Sequence, residues 1–474
     1  MKILLINPII REHAPPINFP IGIGIIANIM LQNDFEVTVF DHNALRYDED
    51  TMISELKRIK DVDVVGIGGL ITGYGYLKSI VPMVREIFPH SKIVIGGGVT
   101  IEPDIVFENI HGVDFCVHGE GEHTFLELCN QFREANSDFE SINGISFRKG
   151  QEIYRTPERD LERNLDVFPM PAYHLFPTEV YLEHLTFADG HQRQATLITS
   201  RGCPNKCTFC WRMTGRGIRF RSVEKILEEV EYLKSNYDID SMFLLDEAIN
   251  ASEKRLGEVC KGFIDSKVDL PWISHARADR VNPDILNLMK EAGCIWLSVG
   301  IESGSKEMLE QMGKNVTPEQ NKMAITLIKQ AGIKITTSMM LGMPGETQNT
   351  VDQSIALLAE TKPEAFLFGI TTPFPGCDLY YMPEVQNQIL ERYGSKDKYF
   401  QALGDVHRLT INLTSFSDKE LIRLRDHASY KTRFKIGPLR RKVQAVVMYS
   451  AKYVIPEELY QRLRVVPLVQ RVFK

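Results

Sequence analysis

Two rhythms of apolar and polar positions divide the chain. In the first third, short apolar runs at residues 3–6, 37–40, 62–67, 93–95 and 113–117 alternate with longer stretches that read as helices. This rhythm predicts an open, Rossmann-like α/β sheet, and the scarcity of polar positions inside the runs predicts strands covered by helices on both faces. From about Gln194 the chain repeats strand, loop and helix six times, with strands near 195–199, 241–245, 272–275, 295–299, 335–341 and 365–371. The intervening helices are well punctuated. Ser222 precedes Val223, Ile226, Leu227, Val230 and Leu233 at helical spacing, Asn282-Pro283 opens a helix that Gly293 closes, and Thr317-Pro318-Glu319-Gln320 opens another that Gly332 closes. Six such units predict a partial (β/α)6 barrel, an open arc instead of a closed eight-stranded ring.

In both layouts, ligands belong at the loops beyond the carboxyl ends of the strands. In the first region these loops carry Asn7-Pro8, Asp41-His42, Gly68-Gly69, Gly96-Gly97-Gly98 and His118-Gly119-Glu120-Gly121-Glu122. In the second they carry Cys203, Cys207 and Cys210, then Asp246-Glu247, then Arg277. Gly300-Ile301-Glu302-Ser303-Gly304 follows the fourth strand and Gly342-Met343-Pro344-Gly345-Glu346 the fifth. Gly22-Ile23-Gly24-Ile25-Ile26-Ala27, with Asp41 downstream, spells a dinucleotide fingerprint. Its first glycine, however, is separated from the strand by a loop holding Pro15, Pro16 and Pro20, so the tight strand-to-helix turn that makes the fingerprint work is missing. A tightly packed helix opening after Pro20 is the simpler reading.

At 474 residues the chain exceeds what one core serves. The expected division is an α/β domain at 1–140, a connector at 141–193, the partial barrel at 194–377 and a mostly helical C-terminal region at 378–474. An apolar fraction of 43% and a charged fraction of 25% exclude a disordered or fibrous chain. The 55 basic and 62 acidic residues leave a net charge of -7, which excludes a general attraction to nucleic acid. The longest apolar stretch, residues 21–31, is about half the length a membrane helix needs, and Met1-Lys2 leads into a strand, not a secretory signal. A cytoplasmic protein without a transmembrane segment is expected. The basic end, with eleven Lys and Arg against Glu457 and Glu458 over residues 431–474, suits peripheral contact with an anionic membrane or a phosphorylated substrate; a solvated helical tail is the plainer alternative.

Cysteine usage changes the picture most. Eight cysteines are too few for a disulfide scaffold, yet Cys203-Pro204-Asn205-Lys206-Cys207-Thr208-Phe209-Cys210 places three of them at C-x3-C-x2-C spacing. Three soft thiolates on one loop suit an iron–sulfur cluster or zinc. Structural zinc takes four protein ligands, and beyond His191 or another cysteine no paired partner lies nearby. A 4Fe-4S cubane with one iron left open is the better match.

These residues resemble the radical S-adenosylmethionine (SAM) superfamily, whose hallmark is this spacing with an aromatic residue before the last cysteine, here Phe209; the resemblance spans roughly residues 194–377. It implies that the open iron chelates SAM, that an electron from the cluster cleaves the sulfonium, and that a 5′-deoxyadenosyl radical attacks the substrate. It also implies roles for the later loops. Asp246 and Glu247 would receive the SAM ammonium, Arg277 its carboxylate, Glu302 and Ser303 its ribose, and the segment with Gly342 and Pro344 its adenine. Residues 1–133 resemble the cobalamin-binding domain that precedes this barrel in one large class of the superfamily, which makes Asn7, Gly22, Gly68, Gly97, Gly98 and Glu120 candidate contacts for cobalamin. The D-x-H-x-x-G motif is absent, so no histidine from that motif would reach cobalt.

The aromatic, proline-rich stretch 164–177 reads as a stiff link holding the two domains face to face. The resemblance implies a cobalamin-dependent methyltransferase acting on an unactivated carbon of a small-molecule, lipid or sugar-type substrate, fed by an external one-electron reductant. An oxidation, cyclisation or rearrangement by the same radical is the alternative within the superfamily. A non-catalytic iron–sulfur and corrinoid binder is the alternative outside it.

Overall fold

The computed structural model describes residues 1–11, 15–183, 192–211, 214–404 and 409–436. Its first sheet begins with five parallel strands: β1 (Lys2–Asn7), β2 (Glu36–Asp41), β3 (Val64–Gly68), β4 (Lys92–Gly96) and β5 (Phe115–Val117), in the order β2-β1-β3-β4-β5. This is the flavodoxin-like order, and it creates a topological switch point between β1 and β3. Two further strands, β6 (Ile145–Lys149) and β7 (Glu152–Arg155), add an antiparallel hairpin beyond β5. The sheet therefore continues to Arg155, past the boundary expected at 140. Alternation in Ile145-Ser146-Phe147-Arg148 and a turn at Gly150, whose φ is +65°, carry the signal for this hairpin.

The second sheet starts with β8 (Gln194–Leu197). A two-residue antiparallel pair follows, β9 (Ser200–Arg201) with β10 (Arg219–Phe220), which brackets the cysteine loop. Then come β11 (Ser241–Leu244), β12 (Trp272–Ala276), β13 (Cys294–Glu302), β14 (Lys334–Leu341) and β15 (Ala365–Ile370). Strands β8 and β11 to β15 lie side by side in sequence order, all parallel, as the six-unit arc anticipated. The helix starts read from the sequence are present. Ser222 accepts from Lys225 N (3.2 Å), Asn282 Oδ1 from Ile285 N (3.0 Å), and Thr317 forms a reciprocal capping box with Gln320. Each such cap contributes about 1 kcal/mol.

Both faces of the first sheet are buried against the rest of the chain. On one face Ile3, Leu5, Val64 and Val94 share an apolar cluster with Phe168, Tyr173, Phe176 and Tyr181 of the connector and with Leu197 and Val230 of the arc. The connector is anchored by Phe19, whose ring centroid lies 4.6 Å from Tyr173 and 4.9 Å from Phe176. On the other face Leu4, Ile6, Val65 and Ile67 join Met308, Met343, Tyr380 and Phe400. The described part of the C-terminal region packs on both domains. The helix Lys396–Ala402 docks on the first domain through Asp397, which accepts from Tyr74 Oη (2.7 Å) and Lys78 Nζ (2.8 Å), and through the Lys396–Glu102 ion pair (2.8 Å). The helix Asp418–Ile436 packs on the helix Gln348–Thr361 and on β15 at the open end of the arc. The basic end from 437 onward and His191 lie outside the described residues, and no helix among those described is long and apolar enough to cross a membrane.

Candidate functional site

The cysteine loop leaves β9 and returns at β10. Its neck is tight: Gly202 has φ +90°, and a Cβ there would sit 1.9 Å from Gly217 O. Along the loop Cys207 is buried, Cys203 is half-buried and Cys210 is exposed. Backbone bonds fasten its middle to other loops, with Thr208 N donating to Met312 O (3.0 Å) and Leu379 N to Thr208 O (2.8 Å). Asn205 Nδ2 donates to Cys203 Sγ (3.3 Å), and Arg277 Nη1 lies 3.9 Å from Cys207 Sγ. The Asn205 amide and the Arg277 guanidinium thus each present an N–H group to a sulfur of the loop. Among the described residues no three His, Cys, Asp or Glu side chains converge on a single-ion position. A cubane takes each thiolate on a different iron and asks for no such convergence.

Residues from separate strand ends meet beside this loop. Arg277, after β12, forms a forked ion pair with Asp279 (2.8 and 3.1 Å) and also donates to Lys314 O (3.2 Å). Lys314, only 5% exposed, donates through Nζ to Glu302 Oε1 (2.8 Å) and to Gly300 O (2.6 Å). Glu302 ends β13 at a register shift with φ +64°, a left-handed conformation that a non-glycine residue adopts only when its surroundings enforce it. Its carboxylate folds back over Gly300, where a Cβ would lie 2.2 Å from Oε1. Cys207, Arg277, Lys314 and Glu302 thus form one continuous polar chain. Lys314 was missed from the sequence because nothing local pairs it with Glu302.

Other anticipated residues have different surroundings. Asp246 is fully buried, and both oxygens are taken at the root of the loop. Oδ1 accepts from Thr199 N (2.7 Å) and Ser200 N (3.2 Å), Oδ2 from Thr199 Oγ1 (2.5 Å) and Ser200 Oγ (2.7 Å). Burial raises its pKa above the usual aspartate value, and those four bonds offset only part of the rise. Glu247 is exposed and accepts from Thr214 Oγ1 (2.6 Å). Ser303 is buried and shapes its own turn: its Oγ accepts from Ser305 N (3.1 Å) and lies 3.3 Å from Ser354 Oγ. Phe209 packs into the apolar cluster shared with the first domain. Gly342, at φ +95°, donates from its N to Glu346 Oε2 (3.3 Å), and Pro344 is half-buried in the following turn.

Burial pushes Glu346 up to about 7, with bonds from Thr350 Oγ1 and Gly342 N opposing the shift. A raised folded pKa means the native state keeps a proton that the unfolded chain releases. The associated stability is complete below the ordinary glutamate value and is lost as pH rises through about 7. It amounts to about 3 kcal/mol. Urea unfolding of the apoprotein from pH 5 to 8 is therefore expected to show a fall in stability that Glu346→Gln removes.

At the carboxyl edge of the first sheet, Asn7 Nδ2 donates to Asp41 Oδ1 (2.8 Å) and to Tyr181 Oη (3.0 Å), tying the connector to β1 and β2. Three glycines are explained by contacts inside the chain. A Cβ on Gly68 would meet Ile23 at 2.7 Å, one on Gly97 (φ +84°) would meet Gly69 O at 2.7 Å, and one on Gly98 would meet the Trp211 ring at 2.1 Å. Trp211, unnoticed in the sequence, follows the last cysteine and also lies against Gly376, so its indole bridges the two domains. Among the described residues, nothing lies within 4 Å of a Cβ on Gly22 or Gly119, and Asn18 Oδ1, in the loop after β1, is buried without a partner. A side-chain-free edge with an unsatisfied acceptor fits a corrin rimmed with amide donors. His42 and His118 have both ring nitrogens engaged, by Tyr47 O and Tyr76 Oη and by Thr100 O and Ser146 Oγ, so neither offers a nitrogen to cobalt. Glu120 points instead to Arg201 and Arg219.

Comparison with known proteins matches these two halves separately. The radical SAM superfamily matches residues 197–358 and the B12 binding domain residues 8–129. An uncharacterized methyltransferase of Pyrococcus horikoshii, PH0819, is 30% identical over 400 residues, covering 82% of this chain and 84% of its own length. The chain belongs to the cobalamin-binding radical SAM family. Another relative within reach of this family is the anaerobic magnesium-protoporphyrin IX monomethyl ester cyclase of Rubrivivax gelatinosus, 26% identical, with 80% of this chain and 69% of that one covered. The solved radical SAM methyltransferase TsrM from Kitasatospora setae superposes with a TM-score of 0.69 at 20% identity, over 83% of this chain and 76% of that one, which shows the shared fold. For a cobalamin-binding radical SAM enzyme the expected cofactors are the 4Fe-4S cluster, SAM and cobalamin. The cysteine loop offers sulfur ligands for the cluster, and the switch-point edge offers bare glycines and the Asn18 acceptor for a corrin.

Proposed function

We propose that this enzyme methylates an unactivated carbon of a small-molecule substrate, with SAM as radical source and methyl donor and cobalamin as methyl carrier. The observation that carries the reading is the polar chain Cys207–Arg277–Lys314–Glu302 beside a three-cysteine loop that faces the carboxyl edge of a flavodoxin-order sheet. Kinship with PH0819, described as a methyltransferase, favours methyl transfer. When bound, the cluster supplies the electron that splits the sulfonium, and the corrin supplies the methyl carrier.

The chain's own residues do the rest. Cys203, Cys207 and Cys210 would each hold one iron of the cluster. Arg277 keeps positive charge at Cys207, where an anionic cluster and a SAM carboxylate need it. Lys314 occupies Glu302 Oε1, and among the described residues Oε2 takes part in no hydrogen bond, which leaves it for a ribose hydroxyl. The apolar cluster holding Phe209, Trp211, Met343 and Tyr380 excludes water from the side of the site toward the first domain, which protects a carbon radical from quenching.

The test is a product analysis. Anaerobically reconstituted enzyme with SAM, hydroxocobalamin and a one-electron reductant is expected to form both S-adenosylhomocysteine and 5′-deoxyadenosine. Formation of 5′-deoxyadenosine alone points to a cyclisation or rearrangement of the kind the cyclase relative suggests, and neither product means a non-catalytic binder.

A further inference from the structure

The neck of the cysteine loop poses an electrostatic problem. Arg201 and Arg219 sit directly opposite each other in the β9–β10 pair, and their side chains are only 9% and 8% exposed. Two like charges facing each other across a strand pair destabilise it, more so when buried. The charges that resolve the conflict come from the other domain. Glu120 accepts from Arg201 Nη1 (3.0 Å) and from Arg219 Nη1 (2.7 Å) and Nη2 (2.9 Å), and Glu122 accepts from Arg201 Nη2 (2.7 Å). Two carboxylates balance two guanidiniums. Both acids sit at the start of the helix Gly121–Arg133, where the helix dipole favours negative charge.

The further partners of these arginines also lie largely outside the arc. Arg201 stacks on Phe168 of the connector (5.3 Å), and Arg219 donates to Glu162 O (2.8 Å) and, within the loop, to Thr214 O (2.7 Å). Burial would raise the Glu120 carboxyl, but the bonds from Arg219 and the charge of Arg201 outweigh it and hold it below the ordinary glutamate value. Glu120 therefore meets the two guanidiniums as a carboxylate. Arg201 is separated from Cys203 by Gly202 alone, so any movement of this pair is delivered straight to the first thiolate.

We propose that Glu120 and Glu122 are positioning residues for the cluster: the first domain supplies the counter-charges that close the neck of the cysteine loop, so the mount of the iron–sulfur centre is built from both domains. This rests on the reading of the loop as a cluster ligand. It makes the domain boundary part of the cluster site and joins the mount to the end of the loop that follows β5, where Glu120 stands at the N-cap of the helix Gly121–Arg133.

The experiment compares wild type, the double variant Glu120→Gln/Glu122→Gln, and the control Arg85→Gln, which removes the Arg85–Asp114 ion pair elsewhere in the first domain. Each holoenzyme is reconstituted anaerobically, its fold is checked by circular dichroism, and iron loss to a chelator and the EPR spectrum of the reduced cluster are recorded. The double variant is expected to lose iron at least about tenfold faster and to show an altered EPR spectrum, while the control matches wild type. If the double variant does not fold, the single variant Glu122→Gln must still speed iron loss about threefold. Iron loss and spectra equal to wild type, or an equal acceleration in Arg85→Gln, overturn the proposal. A wild-type chain that takes up no cluster instead overturns the functional reading beneath it.

Discussion

Replacing Cys203, Cys207 and Cys210 together by alanine is expected to abolish cluster uptake and reductive cleavage of SAM while leaving the fold intact. The loop is held by contacts that do not use the thiols, namely Thr208 with Met312, Leu379 with Thr208, and the β9–β10 neck. Removing three sulfurs, only one of them buried, costs little packing. Iron content after reconstitution and 5′-deoxyadenosine after reduction should both fall to the level of a blank, with an unchanged circular dichroism spectrum. Retention of SAM cleavage by the triple variant is incompatible with the mechanism.

The second large effect is expected at Asp246. Asp246→Ala removes the acceptor for four donors at the root of the loop and strands two backbone N–H groups in a dry interior. Bonds to a buried carboxylate are worth about 1.5–3 kcal/mol each and orphaned donors add to the loss, so a destabilisation of about 3–5 kcal/mol is expected. Urea unfolding measures it, and iron uptake should drop in parallel because Thr199 and Ser200 lead into Arg201 and the loop. Asp246→Asn, which keeps the shape and one acceptor oxygen, should fall between. The resemblance to an acidic turn that binds the SAM ammonium predicts the opposite pattern, with stability and iron unchanged and only SAM affinity reduced. The two readings are thus separable in one variant.

What could be read from the sequence follows from how local the causes are. The six strands of the arc and the caps at Ser222, Asn282 and Thr317 depend on periodicity and on residues three apart, and they stand where expected. The cysteine spacing is equally local. The β6–β7 hairpin escaped because its alternation is short and its outer residues are polar. The partners of Glu120 lie far off in sequence, with Arg219 ninety-nine positions away, so no local pattern announces the clamp, and the acid was read as a cobalamin contact. Gly98 illustrates the same limit: a bare glycine at a strand end invites a ligand, but the ring that needs the space is Trp211, brought in from the other domain. Lys314 was invisible for a related reason, since its partner Glu302 faces it only once β13 ends in a left-handed residue.

The most direct test of the central claim is Mössbauer spectroscopy of enzyme reconstituted with isotopically enriched iron, recorded before and after SAM is added. The account predicts a cubane in which the iron lacking a cysteine ligand changes its environment on SAM binding while the three held by Cys203, Cys207 and Cys210 do not. A spectrum that SAM leaves unchanged, or thiols found to hold zinc in place of iron, contradicts it.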